Sequence, residues 1–275
     1  MEERLYVQIL SELKRAGTVR SFLPMLQNEP LVDREIAKRV RQAKEILGGT
    51  ALVHMVTNGS LLTSKRADNL LEAGTDSFSV SIDAFREETY RSIRKGLSFS
   101  RVIGNVQSLL QRDPRPLVFA RFLKQRANAG EEKMFTRYWK ARGARPFVHS
   151  VVNRAGTLDS FDRVEEREAR LMRRLVRRVL SSIFPLCPHP FLSLNVLWDG
   201  RVILCCHDWG PGVIVGDLTK QSLTTVWNGE AMNHYRHLLY RDRSEESPSC
   251  ANCSCRNGLW GPKSRKALSQ AYASR

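Results

Sequence analysis

The sequence predicts an α/β fold in which a parallel sheet curls into a partial barrel, followed by a small cysteine-rich domain with a β-hairpin. Three observations predict this fold. Apolar strand patterns alternate with amphipathic helix patterns through residue 152, as in βαβ units. One strand pattern is polar on one side, as expected for a barrel lumen. All six cysteines lie between Cys187 and Cys255.

The individual elements follow from the spacing of apolar residues. Residues 1–16 form the first amphipathic helix, because Leu5, Ile9 and Leu13 recur at four-residue steps before Gly17. The later patterns predict strands at 21–26, 51–56, 77–82, 117–123 and 147–152, and helices at 33–47, 64–73, 87–95, 101–111 and 131–141. Short turns between these elements favour a parallel sheet.

The strand at 77–82 carries the lumen prediction. Its two faces hold the apolar Phe78, Val80 and Ile82 and the polar Ser79, Ser81 and Asp83. A strand covered by helices on both faces would be apolar on both. In the strand at 117–123, Arg121 likewise shares a face with Leu117 and Phe119. The alternative is that Ser79 and Ser81 are ordinary buried serines bonded to nearby backbone.

The cysteines form two pairs. Asp199-Gly200 between apolar runs at 191–198 and 202–204 predicts a hairpin with a type I′ turn, which carries Cys205 back toward Cys187. The second pair, Cys250-x-x-Cys253, has the spacing at which two thiolates bind one metal centre. Zinc and an iron–sulfur cluster both suit four cysteines, and packing or disulfide pairing is the remaining alternative.

The cysteine spacing and its flanking text resemble the SPASM extension of radical S-adenosylmethionine (SAM) enzymes. The shared features are Cys187-x12-Gly200-x4-Cys205, the later Cys-x-x-Cys, and the flanking Cys-Cys-x-Asp and Val-Gly-Asp-Leu. The resemblance implies an auxiliary [4Fe–4S] cluster, with electron transfer as its use. Its ligands would be Cys187, Cys205, Cys250 and Cys253, with Cys206 and Cys255 in reserve. His189 and His207 flank these cysteines and are fallback ligands; the alternative is that they are solvated or only support the ligands.

The amino-terminal part resembles strands two to four of the radical SAM partial (β/α)6 barrel. The shared motifs are Asn-Glu-Pro-Leu, Thr-Asn-Gly-x-Leu-Leu-Thr and Ser-Val-Ser-Ile-Asp-Ala. The resemblance implies a SAM site: Glu29 beside Asn28 would bind the ammonium group, Ser81 or Asp83 the ribose, and Arg121 the carboxylate. Asn58 would shape the rim above them.

The front of the chain departs from that family. Radical SAM chemistry needs a Cys-x-x-x-Cys-x-x-Cys loop after strand one, and no cysteine or predicted strand stands before the first helix in this sequence. The predicted barrel therefore misses its first strand. Either the sequence is truncated or mis-started, in which case upstream DNA should encode an apolar strand and that motif in frame, or it is a degenerate paralogue.

The parent activity implied by the resemblance is cleavage of SAM to a 5′-deoxyadenosyl radical that abstracts hydrogen from a peptide or small-molecule substrate. A flavodoxin or ferredoxin would supply electrons. Asp208 is a candidate general base, with a plain loop aspartate as the alternative. A non-catalytic iron–sulfur or zinc binding module is the alternative to an enzyme.

The predicted domains are the barrel at 1–160, a connecting basic amphipathic helix at 161–186, and the SPASM domain with a basic tail at 187–275. The net charge of +16 is compatible with an acidic partner. The alternative is that many of the basic residues lie on solvent-exposed faces of helices. No signature of basic and interleaved aromatic residues points to nucleic acid. No apolar run reaches the roughly 18 to 20 residues of a membrane span. We expect a cytoplasmic protein that does not bind membranes.

Overall fold

The computed structural model describes residues 1–254 except 113, 166–170, 172–186, 211 and 242. The chain forms two compact units. The barrel unit is Leu10–Val151, and the cysteine unit combines Met1–Ile9 with the residues from Val152 onward. The predicted boundary at residue 160 falls inside the cysteine unit. The predicted connecting helix begins as a short helix at Phe161–Val164, and most of it lies outside the described residues.

The barrel unit contains a parallel sheet of strands in the order β1-β2-β3-β4-β5. Helices connect successive strands, which confirms the α/β fold class. The bounds of the strands are β1 Ser21–Phe22, β2 Leu52–Thr57, β3 Ser77–Ser81, β4 Leu117–Lys124 and β5 Arg145–Ser150. The bounds of the helices are α1 Glu3–Ala16, which crosses both units, α2 Ile36–Leu47, α3 Ser64–Glu72, α4 Glu87–Ile93, α5 Phe99–Leu110 and α6 Glu132–Ala141.

Alternate strand residues point to the helices and form the core. Phe78 and Val80 of β3 are fully buried, as are Ala120 and Phe122 of β4. Each helix covers this face with its apolar side, and Trp139 of α6 is among the largest buried side chains. The opposite face of the same strands carries Ser81 and Arg121, two of the residues that the sequence predicts for ligand binding.

The first strand and the second helix are shorter than the sequence predicts. The strand expected at 21–26 pairs only at Ser21–Phe22, because Pro24 has no N–H to donate to a sheet. The helix expected from residue 33 begins at Ile36. Before it, Pro30–Val32 forms a 3₁₀ turn whose first residue has no N–H that needs a partner.

The cysteine unit contains an antiparallel sheet in the order β6-β7-β8. Its described elements are α7 Phe161–Val164, α8 His189–Leu192, β6 Asn195–Val196, β7 Arg201–Ile203, β8 Ile214–Asp217, α9 Leu223–Asn228 and α10 Glu230–Tyr240. Strand β8 was not predicted from the sequence, and the start of the apolar run at 191–198 is helical rather than extended. Phe191 and Leu192 donate to Pro188 O instead of to a neighbouring strand.

The predicted hairpin is present, but its turn differs. Leu197 N donates to Arg201 O, and Gly200 N donates to Leu197 O. Of the two predicted turn residues, Asp199 and Gly200, only Gly200 has a positive φ, of 93°. A type I′ turn needs a positive φ at both. The observed loop is one residue longer than the two-residue loop of a type I′ turn. Asp199 stabilises it by accepting from Arg201 N at 3.2 Å.

The first turns of α1 pack into the cysteine unit. Gln8 Nε2 donates to Leu218 O at 3.4 Å, across 210 positions of sequence. Gly200 also approaches this segment, since a Cβ there would lie 3.1 Å from Leu5 Cδ2. The unit is therefore built from both ends of the described chain. Among the described residues, none of the helices has both the length and the apolar character required to cross a membrane.

Candidate functional site

Glu29 lies at the carboxyl end of β2, where it is held by three donors. Its Oε1 accepts from Leu31 N at 3.1 Å and from Thr57 Oγ1 at 2.7 Å, and its Oε2 accepts from Asn58 N at 2.7 Å. A carboxylate can accept about four hydrogen bonds, so one acceptor position is left for a ligand. A half-buried carboxylate fixed in this way suits an ammonium group.

Arg121 and Ser81 stand opposite each other on neighbouring strands. They are partners in the β3–β4 register, near the carboxyl ends of both strands. Arg121 Nη2 lies 3.2 Å from His149 Nε2, and its guanidinium carbon lies 5.8 Å from the centre of the Phe147 ring. A guanidinium that contacts an imidazole and an aromatic ring of the neighbouring strand is ordered for binding a carboxylate.

Four cysteines of the second unit line one cavity. They are the four that the sequence favours as metal ligands, Cys187, Cys205, Cys250 and Cys253. Cys206 is not among the residues that line this cavity, and Cys255 lies outside the described residues. None of the five described cysteines is in a disulfide. The backbone N–H of His207 donates to Cys205 Sγ at 3.2 Å, as is common around metal-bound thiolates.

The environment of these thiols fits a metal centre. Burial and, to a smaller extent, the nearby Cys250 and Cys253 raise the pKa of Cys187 to about 12. A hydrogen bond with Cys206 and, second, burial raise the pKa of Cys205. Four crowded thiols resist ionisation unless a cation compensates their charge, and a metal centre supplies that charge.

Two buried charged side chains bring the cavity loops together. Asp208 accepts from Gly212 N at 2.9 Å, from Val213 N at 3.0 Å and from Ser249 Oγ at 2.8 Å. It thereby ties the loop of Cys205 to the loop of Cys250. Arg236 of α10 donates to Pro190 O at 2.8 Å and fixes the segment that follows Cys187.

Models of two protein families match separate parts of the chain. Residues 1–119 match the model of the radical SAM superfamily, and residues 187–254 match SPASM, an iron–sulfur cluster-binding domain. The chain belongs to the radical SAM/SPASM family. The family identification predicted from sequence motifs is therefore confirmed.

Curated relatives of this radical SAM/SPASM chain include two kinds of enzyme. The S-adenosyl-L-methionine-dependent 2-deoxy-scyllo-inosamine dehydrogenase of Niallia circulans is 20% identical over 92% of the chain and 80% of the relative. The GTP 3′,8-cyclase of Limosilactobacillus fermentum is 32% identical over 36% of the chain. The chain matches only 29% of the length of that cyclase.

Solved radical SAM/SPASM structures share the fold. BtrN in complex with AdoMet and 2-DOIA has a TM-score of 0.58 and 18% identity, over 92% of this chain and 80% of BtrN. The enzyme anSMEcpe with bound AdoMet has a TM-score of 0.62 and 13% identity, over 98% of this chain and 87% of that one. A further anSMEcpe structure contains the Cp18Cys peptide, with a TM-score of 0.60 and 13% identity over 98% of this chain and 88% of that one.

Asp83 does not face the same way as Ser81, which corrects one expectation. Its φ of 62° breaks the alternation of β3, and its side chain is only 2% exposed. Asp83 Oδ1 accepts from Leu123 N at 2.8 Å, and Oδ2 bonds to Arg94 Nε at 2.9 Å and to Arg94 Nη2. These bonds tie β3 to β4 and α4, so Ser81 is the better candidate for the ribose.

The other predicted residues lie nearby in the same strand-end loops. Asn58 contributes its backbone N–H to Glu29, while its side chain accepts from Ser60 N at 2.9 Å. Asn28 is exposed and accepts from Leu26 N at 3.4 Å, which keeps it beside Glu29. Both asparagines therefore shape the loops around Glu29.

Sequence reasoning missed two histidines on the lumen side of the sheet. His54 of β2 lies 2.5 Å from Ser77 Oγ and 2.9 Å from Ser79 Oγ, and His149 of β5 contacts Arg121. Ser79 is thus a buried serine bonded to a side chain rather than to the backbone. Burial and, second, the charge of Arg121 lower the pKa of His54. The sequence did contain a signal for them, because both histidines lie within predicted strands.

Proposed function

We propose that this protein is a radical SAM/SPASM enzyme that acts on a peptide or small-molecule substrate. Cys187, Cys205, Cys250 and Cys253 would hold one [4Fe–4S] cluster. Glu29, Ser81 and Arg121 would bind SAM. The single observation that carries the proposal is the convergence of the four cysteines, from three separate segments, on one cavity.

The residues of the barrel unit would bind SAM through complementary groups. The Glu29 carboxylate would accept from the ammonium group, and Arg121 would donate to the carboxylate. The Ser81 hydroxyl would bond to the ribose. When bound, the four-cysteine cluster would supply one-electron transfer, and a flavodoxin or ferredoxin in the cytoplasm is the proposed reductant. Cleavage of SAM to a radical would also need the cluster that the family binds through Cys-x-x-x-Cys-x-x-Cys.

Two substrate classes are supported by relatives. The Niallia circulans relative is a dehydrogenase of 2-deoxy-scyllo-inosamine, a small molecule, and its match extends over 92% of this chain. An anSMEcpe structure contains a peptide. A screen with both classes of compound, read by mass change of the compound, would assign the class.

The metal content tests the proposal. Anaerobic reconstitution with iron and sulfide should yield about four iron and four sulfide per chain, measured by elemental and acid-labile sulfide analysis. Zinc without sulfide after the same treatment would refute the cluster and leave a zinc module. SAM binding is a separate test, in which Glu29→Gln is compared with the wild type. Glu35→Gln, which changes an exposed glutamate, is its matched control.

A non-catalytic binding module is the second candidate, favoured by one observation. Residues 1–186 of the sequence contain no cysteine, whereas the family binds its SAM cluster through Cys-x-x-x-Cys-x-x-Cys. We expect weak SAM binding and no release of 5′-deoxyadenosine by these 275 residues under dithionite. Chromatographic detection of 5′-deoxyadenosine above a protein-free control would refute the module.

A further inference from the structure

A second group of ligand atoms lies in the cysteine unit, outside the set of four cavity cysteines. The side chains of His189, Cys206 and His207 place one ligand atom each within 4.8 Å of one another. Their imidazole rings meet edge to face, with centroids 5.0 Å apart. All three side chains are half-buried, so a small ion can reach them from solvent.

The backbone holds these three residues in place. His189 is the first residue of α8, next to Pro190, whose carbonyl accepts from Arg236. Cys206 and His207 lie in the loop after β7, which is fixed by the bond from His207 N to Cys205 Sγ and by the bond from Asp208 N to Cys205 O at 3.1 Å. The group is therefore ordered before any ion binds, which lowers the cost of binding.

The chemistry of the group suits a divalent transition metal. Zinc accepts both thiolate and imidazole ligands, and three protein ligands leave a fourth position for water or another ligand.

We propose that His189, Cys206 and His207 form a three-ligand site for one Zn²⁺ ion, separate from the four-cysteine site. Cys205 and Cys206 are adjacent in sequence and serve different sites, since only Cys205 lines the cavity. His189 also lines that cavity, so the two sites are neighbours within one unit. The ion would carry positive charge next to four thiolates, which favours its binding.

Zinc uptake by the full chain tests this site. Protein reconstituted with iron and sulfide is incubated with Zn²⁺, passed through a desalting column and analysed for iron, sulfide and zinc. We expect about one zinc per chain with the iron content unchanged. Cys206→Ser and His207→Ala should each weaken zinc binding at least about 100-fold in competition with a chelating dye, because each removes a ligand.

His234→Ala is the matched control, because His234 is exposed on α10 of the same unit, and it should bind zinc like the wild type. Iron content and thermal unfolding of each variant report whether the fold is retained, and the two independent variants guard against misfolding of one. Zinc that enters only as iron leaves, or equal zinc binding by the wild type and both variants, would overturn the proposal.

The zinc experiment can be interpreted whether or not the four cysteines bind an iron–sulfur cluster. If the four cysteines take zinc instead of iron, the wild type should bind two zinc ions and Cys206→Ser one. Co²⁺ provides a second readout by electron paramagnetic resonance. An oxidised [4Fe–4S] cluster gives no such signal, so the signal of Co²⁺ can be observed in its presence. A Co²⁺ signal that is the same in the wild type and in Cys206→Ser would also overturn the proposal.

Discussion

In the barrel unit, Glu29 and Arg121 stand beside or on strands of a parallel sheet, and each is held by neighbours from the next strand. In the cysteine unit, the four cysteines stand in loops or beside a four-residue helix. Their positions depend on a few buried polar bonds, such as that between Ser249 and Asp208. The first site is therefore supported by the fold itself, whereas the second needs its own connections and a metal ion.

The largest expected effect is the loss of a cavity cysteine. Cys250→Ala should lose iron and sulfide and lower the unfolding midpoint of the cysteine unit by on the order of 5–10 °C, because metal ligation contributes to folding. Iron analysis and calorimetry measure both effects. Cys206→Ser, outside the cavity, should keep its iron, and equal iron loss in both variants would contradict the assignment of ligands.

Removal of the charge on Asp208 tests the connection between the two cysteine loops. Asp208→Asn places an amide NH₂ among three donors, which should cost about 2 kcal/mol of unfolding free energy and reduce iron content. Ser249→Ala removes one of these bonds and should cost about 1 kcal/mol. Urea unfolding measures both values. An unchanged stability of Asp208→Asn would favour the general-base role over the connecting role.

A smaller effect is expected at the strand-supported site. Thr57→Val keeps the side-chain shape but removes the hydroxyl that bonds to Glu29, at a cost of about 1 kcal/mol. SAM affinity should fall about 5-fold if that cost appears in binding. Equilibrium dialysis with labelled SAM measures the ratio, and the exposed Thr224→Val is the control. Equal affinities would show that Thr57 does not orient Glu29 for SAM.

The smallest effect concerns pH. The pKa of His54 is lower in the folded than in the unfolded chain, because of burial and then the charge of Arg121. As the pH falls below the usual value near 6.5, the unfolded chain takes up the proton first, so stability decreases. Unfolding free energies at pH 7.5 and 5.5 should differ less in His54→Gln than in the wild type. An identical pH dependence would contradict this role of His54.

Local patterns were enough to predict strands β2 to β5, the polar face of β3 and the grouping of the four cysteines. They were not enough for Asp83, because its positive φ and its bond to Arg94 depend on how β3, β4 and α4 pack. The hairpin turn also escaped prediction, since Asp-Gly suits more than one turn type. The bonds of Asp208 join residues 41 positions apart, and no local pattern reports such a contact.

The contact between Gln8 and Leu218 has a consequence for how the chain folds during synthesis. One strand–helix unit after another of the barrel can form as it leaves the ribosome, because each contacts its neighbour in sequence. The cysteine unit must wait, since its segment Met1–Ile9 is synthesised long before its sheet, whose strand β7 begins at Arg201. Closing so long a loop is slow, and the first turns of α1 lack their partners in the cysteine unit meanwhile. A ribosome-bound nascent chain ending at residue 160 should therefore expose Tyr6 and Ile9, which are buried in the finished protein.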